Sequence, residues 1–263
     1  MRVLVAHVNP LGFLALKLIE RYNRVARKFH IREFRPVIRV RLLLLDTTVY
    51  VRAGTSDYDV LKQIFIEHQY KPLDHLPGVR TIIDCGANVG YSSIYFLERF
   101  PDARIVAVEP DPDNVVLCRL NLAPYGDRAL VLASALWSHS ETLGIQRGVY
   151  GDGREWATQV RPLALSRDNS LGEIEGTDVP ALLSLCDDGQ ADIMKIDIER
   201  AESVVFQGPA EWLKNIGNIA IELHDDECRH VFFSAMSCYR FDLTLSGELT
   251  ICQNIKPMMV NVS

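Results

Sequence analysis

Asp84 ends the apolar run Thr81-Ile82-Ile83, and behind it Gly86, Asn88 and Gly90 fall at alternate positions. Glycines at this spacing permit a tight turn and let backbone come close to a ligand. Nineteen residues beyond Gly90, Glu109 closes a second apolar run, Arg104 to Val108, and Pro110-Asp111 follow. An acid at the end of the second strand of such a unit can accept both hydroxyls of a ribose. Together they imply a nucleoside-type cofactor at the carboxyl ends of parallel strands. Charge narrows the choice. A dinucleotide pyrophosphate needs the amide-lined helix start free of negative charge, and Asp84 would repel it. No Lys-Ser or Lys-Thr follows Gly90, which excludes a phosphate loop. A carboxylate suits a cationic or zwitterionic ligand, such as the amino-acid end of S-adenosylmethionine. The plainer alternative makes Asp84 a helix cap and Glu109 a solvated loop acid.

The surrounding pattern supplies the elements that would hold these residues. Val37–Leu45 and Thr48–Arg52 form an expected hairpin turning at Asp46-Thr47, and Asp57 is placed to cap the helix carrying Val60, Leu61, Ile64, Phe65 and His68. From Thr81 strand and helix alternate: strands at 81–85, 104–108 and 130–135, helices at 91–100 and 112–122. Between Trp137 and Ser170 the regularity fails. The glycines at 144, 148, 151 and 153, with Tyr150, Arg154 and Trp156, suggest short strands and loops that form a lid or substrate wall. Alternation resumes with a helix at 179–185, a strand at 192–196, a helix at 201–206, a strand at 219–223 and a helix to about Met236. Phe241–Leu245 and Glu248–Cys252 then flank a Ser246-Gly247 turn. The expected fold is α/β, a doubly wound, mostly parallel seven-stranded Rossmann-like sheet with an antiparallel C-terminal hairpin. Residues 1–78 are an N-terminal helical and hairpin extension packing on the core, and 79–263 the main domain.

The chain has 263 residues and a net charge of −6. Its charge is unevenly spread: residues 1–45 carry ten Lys and Arg against Glu20 and Glu33, a surplus of eight, so the remainder carries −14. So acidic a body argues against a nucleic-acid footprint. The basic arm could touch an anionic membrane surface. Leu11–Ile19 is too short to span a bilayer. Leu11, Leu14, Leu18 and Val25 are spaced as one helix face, which is expected to dock on its own domain. Six cysteines without a CxxC pair read as free thiols of a reducing, cytoplasmic compartment.

The chain resembles the FkbM-type methyltransferases, which move a methyl group from S-adenosylmethionine, mostly to hydroxyl oxygens of sugars, glycolipids or polyketides. The matching stretches are Arg52-Ala53-Gly54-Thr55-Ser56-Asp57 with Tyr70, Ile83–Tyr91, Val106–Asn114 with Asn121, Met194-Lys195-Ile196-Asp197-Ile198-Glu199-Arg200-Ala201-Glu202, Gly208, and Ile221-Glu222-Leu223-His224. The family usually has Gly where Arg200 stands and Val where Cys85 stands. Arg200 could therefore meet an anionic substrate near the cofactor mouth, mark a chain that has lost activity, or be neutral. By this resemblance Asp84, Gly86, Ala87, Asn88 and Gly90 would line the methionine end of the cofactor. Glu109 and Pro110 would face the ribose, Asn114 would steady that loop, and Ala135 would lie at the adenine. Asp197 would stand beside the methyl group, with Glu222 and His224 next to it. Two chemistries fit: His224 as the base that removes the acceptor proton, or a divalent ion such as magnesium on Asp197 and Glu222. Lys195 and Glu199 are expected to form salt bridges, and Asp225, Asp226 and Glu227 to cap the next helix. The expected acceptor is a small molecule, glycan or glycolipid. The competing readings are a methyltransferase of protein or nucleic acid, and a degenerate relative acting as a cofactor-binding or assembly protein.

Overall fold

The structure is a computed structural model that describes residues 10–29, 35–42, 47–147, 158–165 and 171–258. Helix α1 (Pro10–Phe29) precedes a hairpin of β1 (Val37–Leu42) and β2 (Thr47–Arg52), then α2 (Asp57–Phe65). The alternating part follows: β3 (Thr81–Cys85), α3 (Tyr91–Arg99), β4 (Arg104–Glu109), α4 (Pro112–Leu122) and β5 (Ala129–Ala133). Four short strands come next, β6 (Ala135–Leu136), β7 (Thr142–Arg147), β8 (Thr158–Pro162) and β9 (Gly172–Thr177). Then come α5 (Val179–Leu183), β10 (Ala191–Ile196), α6 (Glu202–Phe206), β11 (Ile216–Glu222), α7 (Asp226–Met236), β12 (Tyr239–Ser246) and β13 (Leu249–Pro257).

The main sheet runs β12-β13-β11-β10-β3-β4-β5, parallel from β11 to β5 and antiparallel at both β13 pairings. This is the Rossmann-like sheet with a terminal hairpin that the alternation predicts. Its central strands read as unbroken apolar runs because helices cover both faces: Ile82, Ile83, Ile105, Ile193, Met194 and Ile219 are all buried. One apolar cluster joins Leu16 and Ile19 of α1, Val49 and Val51 of β2 and Leu61 of α2 to Ile82, Ile94, Phe96 and Ile105. The N-terminal elements therefore share the core of one sheet face.

Three expectations change. The strand expected over 130–135 stops at Ala133: the Ser134 amide makes the last ladder bond to β4, at the Glu109 carbonyl (3.2 Å), and its hydroxyl already bonds the Glu175 carbonyl of β9 (2.6 Å). Ala135 and Leu136 thereby enter a second sheet, β6-β9-β7-β8, which builds the described part of the irregular region; residues 148–157 and 166–170 lie outside it. Asp57 does not cap α2. Its carboxylate is taken by Arg52, which donates from its amide (2.8 Å), Nε (3.0 Å) and a terminal nitrogen (2.8 Å). Helix α1 docks through Leu16, Ile19, Asn23 and Ala26; of the stripe expected to dock, Leu14, Leu18 and Val25 are exposed, and the side chain of Leu11 lies outside the described ones.

Candidate cofactor and acceptor site

The carboxyl ends of β3, β4, β10 and β11 open into a cavity of about 450 Å³, within the range for small-molecule sites. The β3–α3 turn forms its floor. Gly86 and Gly90 take φ of +77° and +87°, and Asn88 takes +50°, the left-handed region that favours glycine and tolerates asparagine. A Cβ on Gly86 would stand 1.8 Å from the Asp197 carbonyl oxygen, so only glycine lets β3 and β10 end this close together. The Gly86 and Ala87 amides bond the Val108 carbonyl at 2.9 and 3.0 Å, tying the turn to β4.

Of the residues expected to bind the cofactor, Gly86, Ala87, Asn88, Glu109, Pro110, Asn114, Ala135 and Asp197 line the cavity. Asp84 and Gly90 do not. Asp84 is fully buried behind the turn, where Ser92 and Ser93 donate their hydroxyls to its Oδ2 at 2.6 Å each, and the Lys195 ammonium stands 3.4 Å from its Oδ1. It braces the turn through these contacts, and its Oδ1 has no hydrogen-bond partner. Lys195 also donates to the Gly86 carbonyl (2.6 Å) and lies 3.5 Å from Asp197. Burial would lower its pKa, but Asp84 and Asp197 hold it above the usual lysine value.

Glu109 is no solvated loop acid. It accepts from the Asn88 amide (2.8 Å), the Asp111 amide (3.0 Å) and the Asn114 carboxamide (3.2 Å). Burial pushes its pKa up to about 7 against the pull of those donors. Asn114 in turn accepts from Arg52 at 2.7 Å, so the pair Asp57–Arg52 of the N-terminal elements fixes the carboxylate of β4. The Asn88 side-chain oxygen is buried without a partner. A buried acceptor left bare is costly, and here it belongs to a residue that lines the cavity.

At the β10 and β11 ends His224 lies among four carboxylates. Its Nδ1 is 3.1 Å from Glu202, and its Nε2 is 3.7 Å from Asp197, 3.5 Å from Glu199 and 3.6 Å from Glu222. Burial alone would lower its pKa; the Glu202 hydrogen bond and the charges of Glu202, Asp197 and Glu199 push it up to about 10. Glu199 and Glu222 rise to about 7 and about 8, through burial and then the Asp197 charge. Asp197, Glu199 and His224 offer ligand atoms within 4.8 Å of one another. Glu222, expected beside Asp197 as an ion ligand, is not one of those three.

Sequence reasoning gave no site role to Gln63 of α2, Gln69, Tyr70 or Glu248, all of which line the cavity, nor to the buried Glu202. Only Tyr70 and Glu202 lay in a stretch with a signal. Arg200 is not at the cavity: it grips Asp225 at 2.6 Å, and its φ of +80° accounts for the glycine usual there. Asp225 caps α7 through the Cys228 amide (2.8 Å), as expected.

The chain is 27% identical over 158 residues to the 2-O-methyltransferase NoeI of Sinorhizobium fredii, covering 56% of this chain and 64% of that protein. It is 39% identical over 64 residues to the methyltransferase sdnD of Sordaria araneosa, 24% of each chain. Both matches span less than two thirds of the relative. Among solved structures, precorrin-6y C5,15-methyltransferase of Geobacter metallireducens GS-15 is similar at a TM-score of 0.41 and 10% identity, over 71% of this chain and 85% of that one. M. capricolum TrmK, in complex with S-adenosyl-homocysteine, is similar at 0.39 and 10% identity, over 72% and 69%. The model of the FkbM methyltransferase domain matches residues 84–237, more than half of the chain, and the protein belongs to that family.

Proposed function

We propose that this protein transfers the methyl group of S-adenosylmethionine to a hydroxyl of a sugar, glycolipid or related small molecule. The observation that carries the acceptor reading is the polar part of the cavity lining: Gln63, Gln69, Glu199, Glu222 and Glu248 together with His224. Carboxamides and carboxylates are the groups that hydrogen-bond a polyhydroxylated molecule, and an acidic wall disfavours a phosphorylated one.

The donor set suits the cofactor at both ends. Glu109, with one lone pair of Oε2 still free after its own three donors, suits a ribose hydroxyl, and the bare Asn88 oxygen suits an ammonium or hydroxyl donor. The bound cofactor supplies an electrophilic methyl on a sulfonium. His224 holds the acceptor proton in this reading, and Glu202 fixes its tautomer by accepting from Nδ1. A base at about pKa 10 is protonated at neutral pH. A sulfonium among the same carboxylates is a second cation, which lowers that value toward the working range. The second reading places a divalent cation on Asp197, Glu199 and His224, favoured by their mutual distances.

Labelled methyl transfer to glycan, lipid, protein and RNA fractions, with and without a chelator, tests both. Label in glycan or lipid that survives the chelator supports the His224 reading, and loss of label with chelator supports the cation. Label confined to protein or RNA overturns the acceptor assignment.

A further inference from the structure

We infer that the outward face of α1 lies on an anionic lipid surface. This helix buries one side and is apolar on the other: Leu14 and Leu18 are 56% exposed and Val25 is 42% exposed. At 100° per residue these three fall on one stripe, opposite the buried Leu16, Ile19, Asn23 and Ala26. Lys17, Arg21 and Arg24 follow along one edge of the stripe; Glu20, the single acid between them, pairs with Lys17 at 2.6 Å and Arg24 at 3.6 Å, which leaves the edge a surplus of two positive charges. Arg39 and Arg41 are exposed on β1, against which α1 packs. An apolar stripe edged by long cationic side chains is the pattern of a helix lying in a membrane interface: the apolar groups enter the acyl boundary while the cations meet anionic headgroups. No described helix is long and apolar enough to cross a bilayer, so the contact is with the surface. A second copy on the same stripe would bring two sets of these cations together, which opposes it.

The helix is fixed for this use. Asn23 accepts from the Gly54 amide at 2.6 Å and donates to the Thr55 carbonyl at 3.3 Å, so α1 is held to the turn that leads into α2. It packs on α2, whose Val60, Gln63 and Ile64 line the cavity. The surface contact is thus one helix away from the acceptor side, which deepens the acceptor reading toward a lipid-borne substrate. The surface contact itself does not depend on that reading.

Flotation of the full chain with phosphatidylcholine vesicles, with and without phosphatidylglycerol, tests it. The protein should float with the anionic vesicles and not the neutral ones, and high salt should weaken the binding. The double variant Leu14→Ser, Leu18→Ser should bind at least about ten-fold more weakly, and Arg21→Gln about five-fold more weakly. All three residues are exposed, and unchanged calorimetric affinity for S-adenosylmethionine confirms that the variants are folded. Wild type that stays unbound with anionic vesicles, or a double variant that floats like wild type, overturns the inference. So does a dimer in sedimentation that the leucine substitutions split, which gives the stripe to a second copy. Vesicle binding can fail while methyl transfer to a soluble acceptor persists, so the two readings fail separately.

Discussion

Glu109 is nearly sealed, with three donors of its own chain on its two oxygens, and still forms part of the cavity wall. Glu109→Ala should weaken S-adenosylmethionine binding at least about ten-fold, about 1.4 kcal/mol. The same change should lower stability by about 1–3 kcal/mol, because it strands buried donors; calorimetry and denaturant unfolding read the two effects. His224→Ala should leave cofactor affinity within about two-fold and reduce turnover by about 10²–10⁴; a fully active variant removes His224 from the chemistry. Arg200→Gly should preserve turnover and gain about 1 kcal/mol or less, since it relieves a left-handed φ and gives up only a half-exposed ion pair. Lost activity in that variant would place Arg200 in the site after all. The residue types at strand ends were legible from the sequence, but the direction of a side chain was not. Asp84 read as an acid facing the cofactor; Ser92 and Ser93 in the first turn of α3 hold its Oδ2, and no local pattern announces that pairing. Arg200 read as a cation at the mouth, yet Asp225 turns it away.

Elements with a clear period were readable to within three residues, because β3, β4, β10 and β11 each carry an apolar run with an acid at or beside its carboxyl end. Those built on weak signals were not. Strand β9, Gly-Glu-Ile-Glu-Gly-Thr, has no apolar run, and only pairing with β6 and β7 makes it a strand. The docking face of α1 was misread because Leu14, Leu18 and Val25 make the more regular stripe, while the buried face includes polar Asn23. The link from β2 to the cofactor wall, Asp57–Arg52–Asn114–Glu109, joins segments 62 residues apart and has no local signature. Arg52→Ala leaves the fully buried Asp57 without its cation and should cost about 3–5 kcal/mol. If the variant folds, cofactor affinity should fall as well; full stability by thermal unfolding would contradict the linkage. Gly86→Ala should be worse tolerated than any exposed glycine change, given the 1.8 Å approach to Asp197.

Charge acts on the whole molecule through protons. His224 rises from 6.5 to about 10, so the stability it contributes is complete below pH 6.5 and is lost as pH climbs through about 10. Glu109, Glu199 and Glu222 rise from 4.5 to about 7, 7 and 8. The folded protein therefore holds protons that the unfolded chain has released, and stability falls as pH rises from 4.5 through 8. Both effects have one sign, so the melting temperature of the ligand-free protein should decline steadily from about pH 5 to about pH 9. A flat or rising curve would mean these carboxylates are not crowded as described. The most direct measurement of the whole arrangement is calorimetric titration of S-adenosylmethionine into wild type and Glu109→Ala side by side. Saturable binding to wild type, reduced at least about ten-fold in the variant, is the predicted result; no heat of binding in wild type, or equal affinity in both, would contradict it.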